Sequence, residues 1–211
     1  MTGGDGRSAA PAMPDRPKYV RLSSQDRRAA LIEAARSCIA REGIQGFTVD
    51  KVCAEAGISR GLIAHHFGSI NGLLAALYAR VYAESLPDPA AGSGPEARIA
   101  ALIDSYVDPR FFNREALNVW LALWGQISVN AEVGDEHRRQ YAAYLDSVTT
   151  AIAAVAGERG RNVDASAVAK TLICLADGLG LQHCLDPDMM PAAEARSLCL
   201  SFLQSHVGLI T

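Results

Sequence analysis

Apolar residues recur along this chain at helical spacing, in segments divided by glycine and proline, and strand-like alternation is sparse. From Ser24 to about Glu42, Leu31, Ile32, Ala35, Cys38 and Ile39 fall at i, i+1, i+4, i+7 and i+8, forming one stripe that Gly43 should end. Two short helices are expected next. Thr48 caps the first, Val49, Val52 and Cys53 give it an apolar side, and Gly57 supplies the left-handed residue that stops it. Ile58 plugs the turn, and Ser59 caps a second helix to about Phe67, with Ile63 and Phe67 turned inward. A fourth helix should begin near 69–71 and run through Leu73, Leu74, Leu77 and Val81 to about Ser85. The Pro/Gly-rich stretch 86–96 breaks the pattern. Beyond it, helices are predicted over about 96–107, 113–130, 133–157, 164–184 and 191–206. The second of these should carry Leu117, Trp120, Leu121, Trp124 and Ile127 on one face. The fold class is therefore all-α.

This pattern divides the chain into a disordered arm (1–20), a helix-turn-helix unit (21–68), a connecting helix (69–86) and a larger helical domain (87–211). In the 164–184 helix, Val168, Leu172, Leu175 and Leu179 form one stripe, while Ala169, Ile173, Ala176 and Gly180 form a second beside it. A helix apolar on two faces needs two partners, so its small-residue stripe is expected against a second subunit. The last helix would join it, making a four-helix homodimer seam. The alternative is that both stripes are covered within one subunit.

The two short helices carry the chemistry. With Ile63 and Phe67 inward, Ser59, Arg60, Gly61, Ala64 and His65 are left on the outer face. A small, polar, basic outer face at a helix start suits the second helix of a DNA-reading helix-turn-helix. Arg60 can grip guanine O6 and N7, or simply a phosphate. Gly61 and Ala64 let the backbone sit deep in the groove. His65 and His66 are candidates for phosphate oxygens, and their ~100° separation argues against a shared metal. Thr48 can offer its hydroxyl and the helix start to a phosphate, or only cap its own helix. Lys51 fits a phosphate contact as well as a solvated charge. Two such heads held one turn of duplex apart (~34 Å) would read a palindrome.

Net charge, only −3 overall, is unevenly spread. Residues 1–86 hold 11 Lys and Arg against 8 Asp and Glu, whereas 87–211 hold 9 against 15. Positive charge thus accompanies the reading unit, as phosphate attraction requires. In the arm, Arg16 to Arg21 could follow a DNA backbone, or be a solvated tail.

Thr48, Ala54, Ala56-Gly57-Ile58-Ser59, Gly61, His65-His66-Phe67 and Leu73-Leu74 also resemble the N-terminal domain of TetR-type transcriptional regulators. Within that family, GLIAHHFGSINGLL, VWLALWGQ (119–126) and LADGL (175–179) are similar to choline-responsive repressors of betaine synthesis. The resemblance implies a repressor that dimerises through its two C-terminal helices, binds a palindromic operator on double-stranded DNA and is released by a small molecule. It also shows a departure: Ile70 stands where the family usually has a lysine for a phosphate.

An acidic helical domain joined to such a head is a candidate sensor. Tyr106, Trp120 and Trp124 are its candidate effector contacts, with Phe111, Phe112, Tyr141 and Tyr144 elsewhere in the domain. Indole faces attract quaternary ammonium, and Asp177 or Asp104 can add negative charge; an aromatic stripe can equally be plain core. The alternatives are a constitutive regulator or activator without an inducer, and a protein-binding adaptor. An enzyme is not expected, for no nucleophile–base pair, phosphate loop or metal spacing stands out. The His183, Cys184, Asp186, Asp188 cluster fits no common metal site, and no cofactor is expected. Five scattered cysteines and no apolar run of membrane length point to a reducing cytoplasm, with no membrane partner.

Overall fold

The computed structural model describes residues 23–86 and 94–208; the expected arm and most of the 86–96 break lie outside them. Helix α1 (Ser24–Glu42) opens on a capping box, in which the Ser23 hydroxyl accepts from the Asp26 N–H (3.0 Å) and the Asp26 carboxylate from the Ser23 N–H (3.1 Å). A short 3₁₀ turn, Gly43–Gly46, follows. Gly46 is needed there, since a Cβ would lie 2.3 Å from the Cys38 carbonyl oxygen. Helix α2 (Val49–Ala56) is capped by Thr48 and stopped by Gly57 at φ 64°, ψ 31°. Helices α3 (Gly61–Phe67) and α4 (Ile70–Ser85) complete the N-terminal half. Next come α5 (Pro95–Tyr106), α6 (Arg114–Ile127), α7 (Ala131–Glu158), α8 (Ala165–Leu185) and α9 (Ala192–Val207).

Two apolar cores hold the helices together. One is built from α1–α4, around Leu31, Ile39, Val52, Leu73, Leu74 and Leu77, and takes in Val119, Ala122 and Leu123 of α6. The other unites α5, α7, α8 and α9 around Ile99, Ile103, Ile152, Leu172 and Leu203. Each fully buried aliphatic side chain contributes about 1.5–3 kcal/mol. Helix α6 is thus part of the N-terminal core although it follows the 86–96 break, and the Asn118 amide seals this by donating to the Ala40 carbonyl of α1 (3.1 Å).

Three expectations are corrected. Leu121 does not join the inward face of α6: it is 43% exposed, because Leu117, Trp120 and Trp124 turn toward a cavity and Val119, Ala122 and Leu123 toward α1. Both stripes of α8 are used inside the chain: Val168, Leu172, Leu179, Ala169, Ile173 and Ala176 are buried, and Gly180 lies under the Phe112 ring. Helices α5, α7 and α9 surround α8 closely enough to cover both, so the small-residue stripe does not await a second subunit. The third correction, at Ser59, concerns the reading surface.

Candidate DNA-reading surface and effector pocket

The α2–α3 corner is presented as its sequence requires. Val52, Cys53 and Ile63 are buried, half-buried Ile58 packs on them, and Thr48, Lys51, Ser59, Arg60, Gly61, Ala64 and His65 are exposed. No side chain caps α3. The chain enters it through the Ser59 and Arg60 carbonyls, which accept from the Leu62 and Ile63 N–H groups (both 3.1 Å), so Ser59 is not the expected hydroxyl cap. Gly61 has open space where a Cβ would stand. The Thr48 hydroxyl accepts from the Lys51 N–H (3.3 Å).

The cations at this corner are paired with carboxylates: Lys51 with Glu42, Arg60 with Asp50, and Arg41 with Glu55 (2.8 Å). His66 differs from His65 in being half-buried, its Nε2 enclosed without a partner. Burial, then the neighbouring charges of His65, Arg27 and Arg28, holds its imidazole below the usual histidine range. Arg28 of α1 lies over the Phe67 ring at 4.9 Å, which brings a cation from α1 to the end of the reading helix that sequence periodicity had not singled out. Ile70 packs on the N-terminal core, an apolar anchor where a charged one was the comparison.

The second candidate site is a partly open cavity of about 170 Å³ lined by α4–α8 and by Phe111 and Phe112 between α5 and α6. Tyr106, Trp120, Trp124 and Asp177, read from sequence as a possible set, all line it, as do Phe111, Phe112, Tyr141 and Tyr144. Asp104 does not: it points elsewhere and pairs with Arg196 of α9 at 2.7 Å. Sequence reading missed Tyr78, Tyr82 and His137. The tyrosines sit on the connecting helix α4, where their i, i+4 spacing was the available signal, and their rings stack at 5.8 Å.

Edge-to-face contacts build the walls. Tyr78 and Tyr82 each meet Trp120 at 6.0 Å, Tyr82 meets Tyr144 at 5.9 Å, and Trp124 lies 5.7 Å from Trp120. The Tyr106 and Tyr144 hydroxyls bond each other, and Tyr78 bonds His137 Nδ1 at 2.8 Å. Burial raises the phenols of Tyr78, Tyr82, Tyr106 and Tyr144 well above their ordinary range, so all are neutral. Among the described lining residues Asp177 is the one carboxylate, and there is no lysine or arginine. Asp177 keeps solvent-accessible surface in the single chain, yet the protein around it pushes its carboxyl up to about 6.

Near the far end, His183 stacks on Phe112 at 4.0 Å and bonds the Met190 carbonyl oxygen at 2.8 Å. Among the described residues no group of His, Cys, Asp and Glu is arranged to hold a metal, and no helix is long and apolar enough to cross a membrane.

Residues 31–77 match the family described as "Bacterial regulatory proteins, tetR family", and residues 95–208 match "BetI-type transcriptional repressor, C-terminal". The HTH-type transcriptional regulator BetI 2 of Chromohalobacter salexigens is 31% identical over 197 residues, which cover 86% of this chain and 90% of that relative. A putative transcriptional regulator from Pseudomonas aeruginosa PAO1 has a solved structure with TM-score 0.79 and 30% identity, over 90% of this chain and 94% of its own. The fold is also shared, at TM-score 0.71 and 22% identity over 85% and 96% of the two chains, by a putative regulator from Saccharomonospora viridis solved in complex with choline. With both halves matched, this chain belongs to the TetR family as a DNA-binding transcriptional regulator with a BetI-type C-terminal domain.

Proposed function

We propose that this regulator is a homodimeric repressor released from a palindromic operator by a small quaternary ammonium compound of the choline class. The observation that carries the ligand is the aromatic cavity with, among the described residues, one carboxylate and no lysine or arginine. Electron-rich ring faces attract a cation that is poorly hydrated, and Asp177 neutralises it. At about 170 Å³ the cavity is below the ~300–1,000 Å³ of drug-sized sites, which suits a ligand of few heavy atoms. A carboxylated analogue such as glycine betaine would meet repulsion from Asp177, so choline should bind more tightly. The choline bound in the Saccharomonospora viridis protein supports the same class.

On the DNA side, Arg60 reads a base edge, Gly61 and Ala64 allow close approach, and Thr48, Lys51, Ser59 and His65 meet phosphates. His66, half-enclosed, supports the end of α3 and reaches DNA only from its exposed edge. Coupling runs along α4 and α7. Tyr78 and Tyr82 of α4 line the cavity, and the N-cap of the same helix, Ser69, follows α3 by two residues. Ser69 also donates to Glu132 of α7 (3.0 Å), and His137 and Tyr144 of α7 line the cavity. A ligand that spreads these rings favours a head position unsuited to successive grooves, a population shift.

The homodimer uses the outer faces of α8 and α9. Thr171, Cys174, Gly178, Gln182 and Leu185 are exposed at i, i+3, i+7, i+11 and i+14 of α8, beside exposed Leu198 and Ser201 of α9. Gly178→Arg should give monomers by sedimentation, and a dimer that persists would move the interface elsewhere.

The deciding experiment joins two readouts. Choline is titrated against tryptophan fluorescence, and then against a complex of the protein with its operator recovered by selection from random duplexes. Quenching together with release of DNA supports the proposal. Tight operator binding with no response at millimolar choline would leave a constitutive regulator, or one with another inducer.

A further inference from the structure

We infer that Asp50 is a specificity-determining residue of the DNA-reading surface, holding Arg60 for a base edge and denying it to phosphate. The inference rests on the proposed base contact of Arg60. Asp50 lies in the first turn of α2 and Arg60 immediately before α3; Arg60 Nη2 pairs with Asp50 Oδ1 across the turn between the helices. Both side chains are largely exposed, at 72% for Arg60 and 66% for Asp50. They share the outward surface with Thr48, Ser59, Gly61 and Ala64. Whatever reaches Arg60 therefore comes close to the Asp50 carboxylate as well.

The chemistry of the two targets then separates them. A guanidinium has five N–H donors, so Nη2 can remain bonded to Asp50 while other N–H groups meet guanine O6 and N7. The guanine edge is neutral and tolerates a neighbouring carboxylate. A phosphate does not: it must either displace Asp50, leaving two anions side by side, or share Arg60 with it at a repulsive distance.

The charge balance of the head makes one such pair matter. Residues 21–68 hold seven Lys and Arg against five Asp and Glu, a net of +2. With a positive surplus this small, one carboxylate beside Arg60 changes the balance between phosphate attraction and base reading appreciably.

The test is selection from random duplexes followed by titration of the selected site and of a scrambled duplex at several salt concentrations. Wild type, Asp50→Asn, Asp50→Glu and Arg60→Ala are compared, with thermal melting as the check on folding. In Asp50→Asn the preference for the guanine read by Arg60 should fall about tenfold. Affinity for the scrambled duplex should rise a few-fold, and its salt slope should steepen by about 1. Asp50→Glu keeps the charge and should keep the low scrambled-duplex affinity. In the Arg60→Ala background, Asp50→Asn should have no further effect on preference. Equal preference in wild type and Asp50→Asn would overturn the role of Asp50 alone. A preference that survives Arg60→Ala, or no preferred base in wild type, would overturn the Arg60 reading and Asp50 with it.

Discussion

The reading surface and the effector cavity answer opposite requirements with the same all-helical material. At the α2–α3 corner the charged groups at the surface are answered by neighbours: Asp50 for Arg60, Glu42 for Lys51, Glu55 for Arg41. Beneath them, the core around Leu31, Leu74 and Leu77 is closed. The cavity instead gathers neutral aromatic faces around one carboxylate, Asp177, which has no ion-pair partner among the described residues. A surface that must be the same each time it meets DNA is built self-satisfied. On the proposed function, the cation that answers Asp177 is the ligand itself.

The contrast weakens if the two regions are mechanically one, and α6 allows that to be tested with the largest effect expected here. Leu123 is fully buried in the N-terminal core although it belongs to the helix that carries Trp120 and Trp124. Leu123→Ala should cost about 2–5 kcal/mol in chemical denaturation and weaken operator binding, despite lying far along the chain from α3. Unchanged DNA affinity in a destabilised protein would show that the head stands alone. Trp124→Ala should lower choline affinity about tenfold in fluorescence or calorimetry while operator affinity stays within twofold, since Trp124 lines the cavity and is not part of the head's core.

The open carboxylate gives a pH signature. Choline affinity should fall as pH drops through about 6, because protonated Asp177 no longer attracts a cation, and Asp177→Asn should flatten that dependence. Stability moves oppositely. A carboxyl raised from 3.8 to about 6 contributes stability that is full below about 4 and is lost as pH rises through about 6. The ligand-free Asp177→Asn variant should therefore be the more stable protein at pH 7.5, by about 1 kcal/mol after allowance for solvent at this accessible group. The smallest effect belongs to the surface pair. Lys51→Ala should change stability by less than about 1 kcal/mol and weaken selected and scrambled duplexes alike.

Much of the fold could be read directly because its signals are local. Gly43 and Gly57 end their helices where the apolar spacing stops, and Thr48 caps α2 through its own side chain. Ser59 misled because its residue type fits a cap, whereas the chain enters α3 through backbone carbonyls. The four aromatic and acidic residues proposed for the effector fall on one cavity, yet Asp104 was equally eligible by spacing and serves an ion pair with Arg196. Tyr78 and Tyr82 lay outside the apolar set read for α4, and their place in the cavity comes from α6 and α7 packing against them. The α8 stripes were legible as two buried faces, but which neighbour buries them is a property of α5, α7 and α9.

By itself, then, the sequence determined helix positions, the helix-turn-helix and its outward residues, since each depends on backbone bonds and side chains within a few residues. Only tertiary structure decided that α6 belongs to the head's core, that α4 lines the cavity, and that Asp50 stands against Arg60. Those outcomes depend on which surfaces exclude water together and which charges meet across helices, and no spacing along one chain segment encodes them.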